Sequence, residues 1–432
     1  MMRCRLGLDA FPRTWRRKVV EVRRVVLAAI PIGLLAGAGV AGLEGVCNAL
    51  LWRHLGGTAI LLRLLWPVLG LLCSGYILHV LRVRSVGMLN EVVVHYHAPP
   101  DELSPREDAL KLTACIATVG LGASAGLGGP SQWLGARVGL YFMSLAQRLR
   151  YVRGLTARDS LLIGAAAGVS AIFRAPLAGT LLALETPFSR DMDATALVPA
   201  SVAALFAHWI HSRLIDGNPL LPFPEQAPWD LRAVGSALVI GAAAGFLSRR
   251  FQRVMAWVRL ETEHISWWAR ALGGGVVTST TALVAWQFFG ETWTLQGGTP
   301  LARAVFDGRF AGLAALALLS LKLLSVWATF GTSGVAGLLV ITLTVGSLLG
   351  ATLQPLLSPL TPEMACGIAV CAYLAANYNA PLTGIALSAE WGGTKLLALA
   401  WIAVVVAAWV GEGLANTPAK AGRRHRRAIQ HH

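Results

Sequence analysis

Apolar residues come in long runs with short polar breaks, and the runs recur along the whole chain. They cover Val25–Trp52, Ile60–Val83, Leu112–Gly122, Leu161–Leu184, Thr195–Ile210, Leu231–Leu247, Ala271–Gly290, Ala311–Phe330, Val335–Leu360 and Leu396–Val410. Several reach the roughly 20 residues that a membrane-spanning helix needs, while others are shorter or interrupted. The pattern predicts an all-α polytopic membrane protein with no room for a large soluble domain.

Composition agrees. Of 432 residues, 55% are hydrophobic and 14% charged, against about 25% charged in a soluble domain. Mean hydropathy is +0.59. The net charge of +15 gathers at the ends, in Arg3, Arg5, Arg13, Arg16, Arg17, Lys18, Arg23 and Arg24 and in the tail AKAGRRHRRAIQHH. Basic flanks mark the cytoplasmic side, so both termini are expected there, in a multi-pass protein of the cell membrane. Arms that border membrane spans do not call for nucleic acid as a partner. No signal peptide is evident, and residues 1–24, with Phe11 and Trp15, suit an interfacial helix. The expected organisation is this N-terminal segment (1–24), a first transmembrane half (25–215), a second half (216–415) and a basic tail (416–432).

The six cysteines are scattered and form no C-x-x-C pair, so they read as core residues. Histidines in VVHYHAPPDEL (93–103) and AHWIHS (207–212) lack the further ligands a metal would need, and loop or interfacial placement is expected. Trp267 and Trp268 suit the headgroup level. No catalytic constellation stands out, and no metal, cofactor or enzymatic activity is expected.

Two stretches carry chemistry. GLGGPSQWLG (126–135) puts three glycines and a proline inside an apolar region. Elsewhere GAAAGVSAIFRAPLAGTLLALE (164–185) and AVCAYLAANYNAPLTGIALSAE (369–390) match at Ala175/Ala380, Pro176/Pro381, Leu177/Leu382, Gly179/Gly384, Leu182/Leu387 and Glu185/Glu390. Both are small-residue helices that break at x-A-P and restart. Interrupted segments at corresponding places of two halves point to a transport site between them. Irregular backbone in a bilayer is tolerated only inside protein or along an aqueous cavity. A helix starting there presents unpaired N–H groups and a partial positive charge, which is an anion site without a formal charge.

These features resemble the CLC family of chloride channels and anion/proton exchangers, over about residues 20–420. The two A-P-L segments carry the likeness, together with Gly126–Pro130, which stands where the family has G-K/R-E-G-P. GVAGLLVITLTVGSLLG (334–350) resembles the stretch around G-x-F-x-P, with Gly337, Leu338, Leu339, Val340 and Ile341 in the five places; RSVGMLNEVVVHY (84–96) stands where G-S-G-I-P-E is expected. The resemblance implies a CLC-like fold of two inverted-topology halves with re-entrant or broken helices. It also implies a homodimer with one pathway per subunit, and anions held at helix N-termini within the bilayer. The expected pathway residues are Ser85, Val86, Gly87, Gly126, Gly128, Gly129, Gly337, Leu338, Leu339 and Lys420.

Departures from the family matter most. Its gating glutamate maps to Gly128, and its inner proton-relay glutamate to Thr186, next to Glu185. Its serine ligand maps to Val86, and its tyrosine ligand falls close to Lys420, which is either an anion ligand or the first residue of the tail. With both relay carboxylates replaced, the resemblance implies passive transport of a small monovalent anion, chloride first, uncoupled from protons. Two other readings stay open: a proton-coupled exchanger using other acids, and a non-conducting, anion-sensing or structural relative. Glu44, Glu185 and Glu390 are ionisable groups in or beside apolar runs; a structural role near the interface is expected for the last two. Arg63 and Lys322 suit a vestibule or snorkelling to headgroups, with the pathway favoured for Lys322.

Overall fold

The computed structural model describes residues 13–83, 88–100, 102–148, 155–187, 194–224, 229–357 and 359–412. The described chain is helical. α1 (Arg13–Glu44) runs through a π-helical stretch, Gly45–Trp52, into the short α2 (Arg53–Leu55). Then follow α3 (Ile60–His79), α4 (Met88–His97), α5 (Pro105–Gly120), α6 (Gly128–Arg148), α7 (Ala157–Phe173), α8 (Pro176–Glu185) and α9 (Leu197–Leu214). The second half holds α10 (Leu231–Thr262), α11 (Trp267–Phe289), α12 (Thr299–Phe306), α13 (Gly312–Gly331), α14 (Leu339–Leu353), α15 (Pro362–Tyr378) and α16 (Pro381–Glu412). α16 is bent at Gly393, whose φ of +64° lies in the region open to glycine. The interfacial helix expected of residues 1–24 is described only from Arg13, where it forms the start of α1.

Helix boundaries follow local chemistry. Thr156 and Asp159 form a reciprocal capping box at α7, and Thr361 caps α15 from the equivalent place in the second half. α7 and α15 then end alike, on Arg174 and Asn379, both in the left-handed region at φ 55° and 53°. The next residues are Ala-Pro in both halves, and proline at the first helical position restarts the chain as α8 or α16. The apolar run Leu161–Leu184 is therefore two helices meeting at Arg174. Among the described residues, five helices or helical runs are long and apolar enough to cross a membrane, and several others, such as α8, are too short to do so alone.

The halves repeat in their packing as well. Without a hydrophobic drive between helices in lipid, close approach depends on small residues. Gly33 and Gly37 of α1 lie against the backbone of Ala203 and Ala207 of α9; Gly241 and Gly245 of α10 lie likewise against Ala403 and Ala407 of α16. Gly135 and Gly139 of α6 press on Gly164 and Ser160 of α7, while Gly346 and Gly350 of α14 press on Val370 and Ala365 of α15. Each crossing is a small-x-x-x-small pair, and each has its counterpart. The molecule is thus an all-α polytopic fold of two structurally repeated halves with broken helices. The five described cysteines are free, four of them buried and Cys73 exposed.

Candidate anion pathway

The central feature is a meeting of two helix starts, one from each half. The Gly126 N–H donates to the Gly337 carbonyl at 3.0 Å, and the Gly337 N–H returns the bond to Gly126 at 2.8 Å. The same two loops are stitched again by threonines. The Ser124 N–H donates to Thr329 Oγ1, and the Val335 N–H to Thr118 Oγ1, both at 3.2 Å. Immediately beyond, α6 begins at Gly128 and α14 at Leu339. Their first backbone N–H groups have no intrahelical acceptor, and both helix dipoles place partial positive charge here.

The glycines are required by space. A Cβ on Gly337 would sit 2.2 Å from the Gly129 nitrogen, and one on Gly126 would sit 2.9 Å from the Val340 Cβ. At Gly128 a Cβ would lie 2.5 Å from the Leu339 Cβ. A side chain starting at the place that the resemblance assigns to a gating glutamate would therefore collide with a leucine contributed from the opposite half.

A cavity of about 570 Å³ opens onto this meeting point, touching Gly126, Leu127 and Val340. Its walls carry Arg174, Arg303 and Arg309 against Glu44 and Asp307, with Trp52 and Trp293 beside them. The Arg309 guanidinium lies 5.8 Å from the centre of the Trp293 ring. Lys322 corrects the expectation made for it. It is fully buried, and its ammonium donates to the carbonyls of Thr294 at 2.9 Å and Gln296 at 2.6 Å. It neither snorkels nor lines the cavity; it holds the wall loop at Gln296–Gly298 from behind. Arg63 donates to the Thr58 carbonyl at 3.3 Å, away from the cavity lining.

On α5, Lys111 occupies the place in the first half that Lys322 holds in the second. Its partner is Glu91 of α4, at 3.0 Å, and the Trp133 indole of α6 donates to the same carboxylate at 2.9 Å. Close by, Arg137 forks onto Asp108 at 3.0 and 2.6 Å, and the Tyr141 hydroxyl joins at 2.8 Å. These buried, hydrogen-bonded pairs fix α4, α5 and α6 against one another. Ser85, Val86 and Gly87, which precede α4, and Lys420 lie outside the described residues.

Glu185, the last residue of α8, and Glu390, within α16, take a structural role, and it is a specific one. Glu185 accepts from the N–H groups of Leu382 and Thr383 at 2.9 and 2.8 Å, and from the Thr383 hydroxyl. Glu390 accepts from the N–H groups of Leu177 and Ala178 at 2.7 and 2.8 Å. Each glutamate caps the start of the other half's A-P-L helix, so the halves are clamped reciprocally. Glu185→Gln and Glu390→Gln are each expected to cost about 1–3 kcal/mol, since a pair of helix-start N–H groups loses its charged acceptor. Thermal unfolding of the detergent-solubilised variants checks this, and an unchanged midpoint would show that the clamp contributes nothing. Thr186, beside Glu185, turns its hydroxyl back onto the Leu182 carbonyl.

A second cluster was not anticipated. Glu44, at the end of α1, takes His211 Nε2 at 2.8 Å on one oxygen and the Arg174 guanidinium at 3.6 Å on the other. Arg174 reaches Asp216 at 2.8 Å and the Asn218 carbonyl at 3.0 Å. Asp216, in the exposed loop after α9, is held below the ordinary carboxylate range by the Asn218 N–H first, and also by Arg174. His211 is fully buried, not in a loop or at an interface as its sequence context suggested. His97 of the other histidine pair sits on α4, against the Pro187 carbonyl at 2.9 Å.

The architecture is that of a polytopic helical membrane protein in which two structurally repeated halves bring helix starts together at a cavity. The family model for voltage gated chloride channels matches residues 69–412, and the chain belongs to that family, one of channels and transporters and not of enzymes. Among curated relatives, it is 29% identical over 286 residues to the voltage-gated ClC-type chloride channel ClcB of Shigella flexneri. That match covers 59% of this chain and spans 63% of the relative's length. It is 26% identical over 416 residues to the H(+)/Cl(-) exchange transporter ClcA of Klebsiella pneumoniae, covering 90% of this chain and 85% of that one. The fold matches the crystal structure of a slow cyanobacterial Cl-/H+ antiporter with a TM-score of 0.79 at 20% identity, over 93% of this chain and 97% of that chain. A CLC-type fluoride/proton antiporter matches with a TM-score of 0.77 at 22% identity, over 91% and 96%. The CLC-like fold expected from the sequence is the fold observed.

Proposed function

We propose that the chain provides a passive pathway for a small monovalent anion, chloride first, without coupling to protons. The observation that carries the reading is Gly128. It offers no carboxylate, and Leu339 crowds the point from which a side chain there would start. Thr186 likewise offers no acid at the inner relay position. Two helix starts beside a cavity with three arginines on its walls supply favourable potential for an anion.

In this reading the anion contacts the backbone at Gly126, Gly128, Gly129, Gly337, Leu338 and Leu339, while Ser85, Val86, Gly87 and Lys420 are pathway candidates by sequence resemblance alone. If Glu91 is the last letter of the G-S-G-I-P-E place, counting back puts the motif's serine at Gly87 and not at Val86. The reading includes a homodimer in the cell membrane, with one pathway per subunit and both termini cytoplasmic.

Efflux of chloride, nitrate and fluoride from protein-containing liposomes, followed with ion-selective electrodes, tests it. Chloride efflux well above that of empty liposomes is expected. No efflux of any of the three would contradict the reading and favour a sensing or structural role.

A further inference from the structure

We infer that Glu44 and His211 form a proton-binding site on the cavity wall, which raises anion entry when the facing solution is acid. The inference rests on the anion-pathway reading above and concerns the regulation of that pathway. Three observations carry it. Glu44 lines the cavity that opens onto the two helix starts, and its side chain keeps 13% of its surface accessible. The structural pair Glu91–Lys111, by contrast, is only 5% and 6% exposed and lies outside the cavity lining. Glu44 is bonded to a fully buried imidazole, whose other nitrogen, Nδ1, has no hydrogen-bond partner among the described residues. Arg174, the third member, also lines the cavity and is held on its far side by Asp216 and Asn218.

The charges around the site are these. On α9 lie His211 and His208; after α7 comes Arg174, with Asp216 behind it; Cys47 is one turn further along from Glu44 itself. Across the cavity stand Arg303, Asp307 and Arg309. A proton arriving from the cavity is held by the carboxylate of Glu44 or by the imidazole of His211. Either way the wall gains one unit of positive charge, so the sign does not depend on which group binds it. Removal of a negative charge from an aqueous vestibule raises the local concentration of anions at its floor. The proton does not need to cross the membrane. Acid sensitivity is thus placed on the wall, while Gly128 leaves the floor free of carboxylate.

The test is chloride efflux from liposomes with the same pH inside and out, so that random protein orientation does not matter. Values of about pH 3.5 and about 7.5 bracket the ordinary carboxylate and imidazole ranges. Wild-type efflux is expected to be about three- to tenfold faster at the acid value, the size expected for one unit charge on a solvated wall. Glu44→Gln is expected to be flat with pH, at the acid level of the wild type, because the fully buried His211, once deprived of its carboxylate partner, no longer takes up the proton. A flat wild type, or Glu44→Gln with the full acid rise, overturns the inference. If Glu44→Gln does not give a monodisperse protein, His211→Gln decides: a displaced midpoint of the pH profile supports the site, and an unmoved one overturns it. Absence of flux at every pH would contradict the pathway reading instead. Chloride affinity from calorimetry at the two pH values would then decide the proton site, through an acid-enhanced affinity present in wild type and absent in Glu44→Gln, or its failure to appear.

Discussion

Gly128→Glu, the substitution that restores the family's gating carboxylate, is expected to abolish anion efflux and to lower stability. The reason is steric before it is electrostatic. The new Cβ would lie 2.5 Å from the Leu339 Cβ, an atom held close to the backbone of α14 that cannot swing away. The helix starts must then separate, breaking the Gly126–Gly337 bridge that aligns their N–H groups. Overpacking of this kind costs about 1–3 kcal/mol, occasionally more. Adding Leu339→Gly removes the obstruction, and the double variant is expected to recover folding and part of the efflux. Its efflux should rise with acid beyond that of the parent, because a neutral carboxyl no longer competes with the anion. Efflux and melting temperature, read on the single and double variants together, check this. A Gly128→Glu protein as stable and as active as the parent would mean that Leu339 does not close the site.

Gly168→Ala is expected to lower stability sharply, because it adds a methyl group to a close helix crossing beside the start of α6. Its Cβ would meet the Ser131 carbonyl oxygen at 2.0 Å and the Gln132 Cα at 3.3 Å, both in the first turn of α6. Neither neighbour is a flexible side chain, so α6 must move off α7, and its start moves with it. A loss of about 3 kcal/mol is expected, at the upper end for overpacking, with a matching loss of efflux. Gly235→Ala is the control. It lies inside α10 with nothing within 4 Å of the added Cβ, and alanine there should stabilise by about 0.5–1 kcal/mol. Thermal unfolding of both variants separates crowding from helix propensity, and equal midpoints would refute the close-crossing argument.

Much of the fold was legible. The apolar runs and the paired A-P-L segments implied a membrane protein of two related halves, and Gly126–Pro130 was readable as a helix start. The repeat was nevertheless read too narrowly. Leu110, Lys111, Leu112, Ala117, Thr118 and Gly120 recur as Leu321, Lys322, Leu323, Ala328, Thr329 and Gly331. This places the threonines that stitch the central loops, and the two buried lysines, in register. The paired glycines of α6 and α14 recur as well, but small residues are so common in membrane helices that their spacing carries little signal alone.

Other features were not legible, for a physical reason. Glu185 and Glu390 end equivalent helices in sequence, yet each serves the helix start of the opposite half, and only the packing of α8 on α16 reveals it. Glu44, Arg174 and His211 lie on separate helices or turns, and no local pattern announces that α1, α7 and α9 converge. The same holds for Leu339. Its place in the motif does not announce that its Cβ stands 2.5 Å from where a side chain on Gly128 would begin.

The most direct test of uncoupled anion transport records chloride efflux and external pH together. The purified protein is placed in chloride-loaded liposomes under a potassium–valinomycin clamp. Chloride efflux with no accompanying proton uptake is the result that Gly128 and Thr186 predict. Proton movement in fixed proportion to chloride would contradict it, and would show that another acid carries protons through this fold.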